Sequence, residues 1–235
     1  MFLALAVLAG LAALPGPGLE AQTRRRLPAQ PEKDEVPDGL RIARLQYGGG
    51  GDWYSNPSSL PNLARAVAER TAIRVSSTEE KRVSLLDERL FDYPFIYMNG
   101  HGTVRFSAEE TERLRTYLLA GGFLFADDNY GMDKSFRQEI AKVFPDKPLL
   151  EVPFDHPIYH CFYDLKQGPP KVHEHDGKRP QGLGLFHEGR LIVFYTVESD
   201  VGDGIEDPHV HNDPPETREQ AMKMAINVVV YAYTS

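Results

Sequence analysis

The sequence has one cysteine and one tryptophan. A single cysteine excludes an internal disulfide framework and any multi-cysteine zinc or iron–sulfur site. Basic residues are in deficit: 26 Lys and Arg stand against 34 Asp and Glu, a formal net charge of −8. That balance does not give the basic surface that non-specific nucleic-acid binding needs, so no nucleic-acid partner is expected. No apolar run reaches the roughly 20 residues of a comfortable bilayer-spanning helix. The G-x-G-x-x-G fingerprint, the Lys-Ser/Thr end of a P-loop, H-E-x-x-H and the EF-hand order are all missing. What is there is ordinary for a globular chain: 235 residues, 41% hydrophobic and 26% charged. The length admits one domain of good size or at most two small ones.

The N-terminus reads differently from the rest. Phe2 to Leu14 is a run of Phe, Leu, Ala, Val and Gly, which suits the apolar region of a signal peptide. Pro15-Gly16-Pro17-Gly18 ends it. Leu19-Glu20-Ala21 offers a small residue before a cut at Gln22, but Leu19 is poor three places from a cut and no Lys or Arg precedes the run. Residues 1–21 are therefore expected to be a signal peptide or an uncleaved anchor, and the protein periplasmic or otherwise extracytoplasmic. Residues 22–38 carry Arg24-Arg25-Arg26 and three prolines, and nothing there buries a face, so they read as a linker. The domain is expected over residues 39–235, with Cys161 either a buried apolar thiol or a free reactive one.

Within it, short apolar runs alternate with helical periodicity. Ile42 to Tyr47, Ile73 to Val75, Phe95 to Met98 and Phe123 to Ala126 read as strands. Leu60, Leu63, Ala64, Val67 and Ala68 fall on one helical face. Ser107 and Glu110 form a capping box before a helix. Phe136, Ile140, Val143 and Phe144 mark another helix. Near-continuous apolar strands separated by helices predict a parallel sheet covered on both faces. Leu183–Phe186 and Leu191–Thr196 read as a hairpin. A last helix is expected from Asp213, with Pro214 in its first turn.

Polar residues collect after the strands, where parallel α/β sheets bind ligands. Gly48–Gly51 with Asp52, Trp53 and Tyr54 is a tight turn, or a loop whose amides face an anion. Trp53 is a core residue or a stacking face for a sugar. His101, between Gly100 and Gly102, is an exposed loop residue, or a ligand or acid/base. Asp127-Asp128 places two repelling carboxylates together; one caps the next turn, and the pair needs a cation, amides or a proton. Glu198 to Glu216 has no Lys or Arg and includes Asp200, Asp203, His209 and His211. It is a solvated acidic loop or a site for a divalent metal ion. The segment Ser199–Gly204 is too glycine-rich for a helix, and an extended His209-x-His211 sets both rings on one side. His156 and His160 share a face if a helix begins at Pro157. His173, His175 and His187 read as surface residues.

The strings Ala43–Tyr54, Asn99–Gly102, Gly121–Asp128, His156–Tyr159, Asp200–Asp207 and His211–Pro214 together resemble the bacterial domain-of-unknown-function family 4159, over about residues 40–233. That resemblance implies a fold like the class I glutamine amidotransferases and the trehalose-utilisation (ThuA-like) proteins. The expected fold is thus an α/β three-layer sandwich with a mainly parallel, flavodoxin-like central sheet and a C-terminal hairpin and helix. The amidotransferases carry a nucleophilic cysteine on the turn after a central strand. Asp127-Asp128 occupies the matching position here and Cys161 lies elsewhere, so glutaminase chemistry is not expected.

Two functions remain as expectations. The first is a noncatalytic module binding a small molecule, a saccharide or an envelope protein, with Gly49, Gly50, Asp52, Trp53, Tyr54, His156 and His160 as ligand-binding residues. The alternative is a metal-dependent or carboxylate/imidazole hydrolase or lyase acting on a saccharide-type substrate. It would use His101, Asp127 and Asp128 in catalysis, and one divalent metal ion on Asp200, Asp203, His209 and His211. Membrane contact is expected only through an uncleaved N-terminal segment.

Overall fold

A computed structural model describes residues 39–235. The signal or anchor segment and the linker expected over residues 1–38 lie outside the described residues. Seven strands form one sheet: β1 (Ile42–Gln46), β2 (Lys81–Ser84), β3 (Phe95–Gly100), β4 (Phe123–Asp128), β5 (Leu150–Glu151), β6 (Gln181–His187) and β7 (Arg190–Val197). Their order is β2-β1-β3-β4-β7-β6-β5. The first five in that order run parallel, and β6 and β5 close one side antiparallel. The protein is thus a mixed α/β domain on a mostly parallel sheet. Among the described residues no helix is long and apolar enough to cross a membrane.

Burial explains the central strands. Every residue of β3 and β4 is buried, as expected for strands covered on both faces. Helices α2 (Ala108–Leu119) and α3 (Asp133–Val143) cover one face through Leu114, Tyr117, Phe136 and Ile140. Helix α1 (Ser59–Arg70) and the C-terminal helix cover the other. In α1 Leu60, Leu63, Ala64 and Val67 are buried as their spacing predicts, whereas Ala68, expected on the same face, is exposed. Ser107 and Glu110 make both bonds of the expected capping box. The hairpin turns at Glu188 (φ 50°) and Gly189 (φ 83°). Two central residues with positive φ match the twist of the flanking strands.

Four expectations need correction. Ile73–Val75 is not a strand of the sheet; Val75 makes only an isolated bridge to Leu40. The edge strand is β2, whose Lys81 and Arg82 hide it from an apolarity search and suit a sheet edge. Val201–Gly204 does form a helical turn, α4, despite its glycines. Close packing demands them: a Cβ on Gly204 would lie 2.5 Å from that of Ala221. A second turn, α5 (Pro208–His211), means that His209 and His211 are not in an extended segment. Finally, the last helix, α6, runs Pro215–Thr234. Asp213 does not begin it; its carboxylate is held by a histidine instead.

Candidate functional site

The parallel strands end together, so the segments after β1, β3, β4 and β7 share one edge of the sheet. From β1 the chain crosses to β2 on one side and then returns to β3 on the other. The ends of β1 and β3 are therefore the topological switch point, the place where such sheets bind ligands.

Asp52 and His101 meet there. Asp52 Oδ2 lies 3.0 Å from His101 Nδ1, and Asp52 Oδ1 accepts the His101 backbone N–H. Both oxygens thus position one histidine. A carboxylate only accepts, so in the neutral imidazole the ring proton sits on Nδ1 and Nε2 carries the lone pair. The His101 side chain is 52% exposed. Gly100, at φ 143°, makes the approach possible, because a Cβ there would lie 2.9 Å from Asp52 Oδ1. The glycine loop is a tight turn, with Gly49 and Gly50 at positive φ. Gly51 N donates to Thr103 O at 3.0 Å and Asp52 N to His101 O at 3.2 Å. Those two amides are engaged by carbonyls of the loop after β3 and are not free for an anion. Next to them Trp53 is half-buried under the Arg82 guanidinium, and Tyr54 is 59% exposed.

A buried polar network supports this edge. Arg44 in β1 is fully buried and donates to Glu80 (2.8 Å), Ser55 O (2.8 Å), Asn56 O (2.9 Å), Ser59 Oγ (3.1 Å) and Asn99 Oδ1. Asn99 Nδ2 donates to Asn129 Oδ1 at 3.2 Å. Asn129 and Asn56 in turn both donate to Asp203 Oδ1, the latter at 2.6 Å. Six segments, at Arg44, Ser55–Ser59, Glu80, Asn99, Asn129 and Asp203, are fixed together, and Asp203 Oδ2 stays free of this network.

That oxygen faces histidines. His173 Nδ1 lies 3.0 Å from Asp203 Oδ2 and 3.3 Å from Asp200 Oδ2, and its Nε2 lies 3.0 Å from Asp213 Oδ1. His175 Nε2 reaches Asp200 Oδ2 at 2.5 Å. His211 Nε2 lies 3.1 Å from Glu206 Oε2 and 3.9 Å from Asp203 Oδ2. His173 and His175 are thus partners of the acidic segment, not surface residues. Residues 170–176 are strapped over it by Val172 N to Ser199 O (2.9 Å) and Ser199 Oγ to Pro170 O (2.6 Å). Beneath, the backbone turns sharply, with Glu198 and Asp200 both at positive φ. Such strain in non-glycine residues gathers at functional sites. The Tyr130 ring stacks on His175 at 4.6 Å. It also borders a cleft of about 390 Å³ lined by Asp128, Lys134, Arg137, Lys178 and Glu198.

The other candidates lie differently. Asp127 is fully buried and accepts from Thr196 Oγ1 (2.5 Å) and Gly202 N (2.6 Å). It ties β4 to α4. Asp128 Oδ1 caps the next turn, accepting from Tyr130 N (3.0 Å) and Met132 N (2.9 Å). His209 is exposed and outside the cluster. His156 caps a short 3-10 turn, Pro157–Tyr159. Its ring packs 5.3 Å from that of Tyr231, whose hydroxyl contacts Leu191 at the start of β7. That is the opposite edge of the sheet. His160 is held by Asp164 and Phe154 O, each at 2.6 Å. The Cys161 thiol donates to Asn227 O at 3.3 Å, and burial pushes its pKa up to about 11. It is a poor nucleophile.

Burial raises the Asp127 pKa from 3.8 to about 7, against the opposing hydrogen bonds from Thr196 and Gly202. Burial, then the charge of Asp127 and Asp203, raises that of Asp200 to about 9. A pKa raised on folding gives stability that is full below the unfolded value and lost as pH rises through the folded one. In chelator, the urea midpoint therefore falls from pH 5 to pH 8. The Asp127 share of that fall is roughly 1.4 kcal/mol per pH unit up to about pH 7. Asp127→Asn should flatten the profile; equal slopes for both proteins would contradict this origin.

Fold and site define a mixed α/β domain with a histidine- and carboxylate-lined site at the C-terminal edge of a mostly parallel sheet. The sequence profile of the family described as Domain of unknown function (DUF4159) matches residues 41–233, and the chain belongs to that family. No curated protein matches the sequence.

Proposed function

We propose that this protein is an extracytoplasmic carboxylate/imidazole hydrolase or lyase acting on a saccharide-type substrate. The observation that carries the reading is the Asp52–His101 pair at the β1/β3 switch point. Asp52 fixes the ring and its tautomer, so Nε2 takes a proton from water or substrate and the imidazolium returns it. Tyr54 beside the pair offers an exposed aromatic face to the C–H side of a sugar ring. The fold behind the reading is flavodoxin-like, of the amidotransferase type. In its support, the five parallel strands numbered among themselves follow the order 2-1-3-4-5. Export rests on the Phe2–Leu14 run.

The second reading, a noncatalytic module that binds a saccharide or an envelope protein, is favoured by the C-terminal end of β4. Asp127 lies within that strand, buried and fully bonded, and supplies no exposed nucleophile. Turnover separates the two. The purified protein is incubated with glycosides, sugar esters and uronic-acid polymers, and products are followed by mass spectrometry. Cleavage of at least one class supports the enzyme. Saturable binding without cleavage anywhere in the panel supports the module.

A further inference from the structure

We propose that His173 Nδ1, Asp203 Oδ2 and His211 Nε2 bind one first-row transition-metal dication, with Zn²⁺ the favoured ion. The three donor atoms come from three separate segments and all lie within 4.8 Å of one another. Ligands of one tetrahedral zinc ion stand about 3.4 Å apart, so the longest of these separations has to shorten by roughly 1–1.5 Å, a movement shared between two side chains.

The surroundings are those of metal ligands. Asp203 Oδ1 is pinned by Asn56 and Asn129, which points Oδ2 at the imidazoles. His173 presents Nδ1 to the site while Nε2 is held by Asp213 Oδ1 at 3.0 Å. A carboxylate on the far nitrogen of a ligating histidine fixes its tautomer and raises its basicity.

An independent observation points to a cation. Asp200 is fully buried beside the donors, with its Oδ2 3.3 Å from His173 Nδ1, and its Oδ1 has no hydrogen-bond partner. Buried carboxylate oxygens are costly when unmatched. Among the described residues the ion-pair partners of Asp200, Asp203, Glu206 and Asp213 are all histidines. Arg218 is close but donates to the Glu206 carbonyl. A dication would give these carboxylate oxygens a partner of opposite charge. Two imidazoles with one carboxylate suit zinc, iron, nickel or cobalt; Ca²⁺ and Mg²⁺ require shells of oxygen.

The ion would give the proposed reaction a Lewis acid or an activated water. Only that role rests on the catalytic reading, because binding is measured without substrate. The full-length protein is stripped with chelator and titrated with Zn²⁺, Co²⁺, Mg²⁺ and Ca²⁺ by calorimetry, and the Co²⁺ form is followed by visible absorption. The expected result is one equivalent of Zn²⁺ or Co²⁺, a cobalt d–d band, and a higher melting temperature with Zn²⁺. Affinity falls at least 100-fold in His173→Ala and His211→Ala. It falls about 10- to 100-fold in Asp213→Asn and is unchanged in His209→Ala and His160→Ala. Circular dichroism checks the fold of each variant, with His211→Gln as the milder replacement. Weak binding of every ion, or equal loss in the His209 variant, overturns the proposal.

Discussion

Arg44→Ala unfolds at a much lower urea concentration than the wild type, with a loss of about 3–5 kcal/mol. The guanidinium is fully buried, and its five hydrogen bonds end on five different residues. Removing it leaves the buried Asn99 amide oxygen without its donor and opens a large cavity, while Glu80, Ser55 O and Asn56 O each lose one donor and keep Arg82, Asn99 Nδ2 and Ser59. The unmatched oxygen and the cavity, more than the loss of the favourable pair, set the cost. For a domain of this size the melting temperature falls by about 10 °C or more. Glu80→Ala should cost less, because Arg44 keeps its other acceptors. The Ser55–Ser59 segment loosens with Arg44, and with it the Asn56 bond to Asp203. A loss below about 1 kcal/mol would show that the network is not what holds this edge.

His101→Ala lowers kcat by about 10²- to 10⁴-fold on any substrate the protein turns over, the range for one general acid/base. That is about 3–5 kcal/mol in the barrier. KM changes little if the imidazole acts in proton transfer and not in binding. Asp52→Asn is the sharper test. Its carbonyl stays on the His101 backbone N–H, so the amide NH₂ faces Nδ1. An amide donor there drives the ring proton to Nε2 and removes the base, so kcat falls on the order of 100-fold while the fold survives. Unchanged rates in both variants would remove His101 from the chemistry.

Local chemistry carried most of the fold into view. Phe95–Met98 and Phe123–Ala126 announce buried strands because parallel strands need apolar residues on both faces. Ser107 and Glu110 mark a helix start through bonds three residues apart. β2 escapes the same reading because an edge strand tolerates Lys81 and Arg82. The site is less legible. Asp203 and His211 stand out through the acidic stretch around them. His173 and His175, in an equivalent His-x-His pattern, do not, because their loop has no periodicity and their partners are more than 20 residues away. Arg44, inside an apolar run, shows its role only when Asn56 and Asn99 are folded against it.

Histidine-ring NMR of the purified protein, with and without a ligand taken from the saccharide panel, tests the location of the site most directly. Binding at the C-terminal edge of the sheet should shift His101 strongly, and His173, His175 and His211 with it. His156, His160 and His209 should not move. Shifts confined to His156 and His160, with His101 unaffected, would put the ligand at the opposite edge and contradict the account.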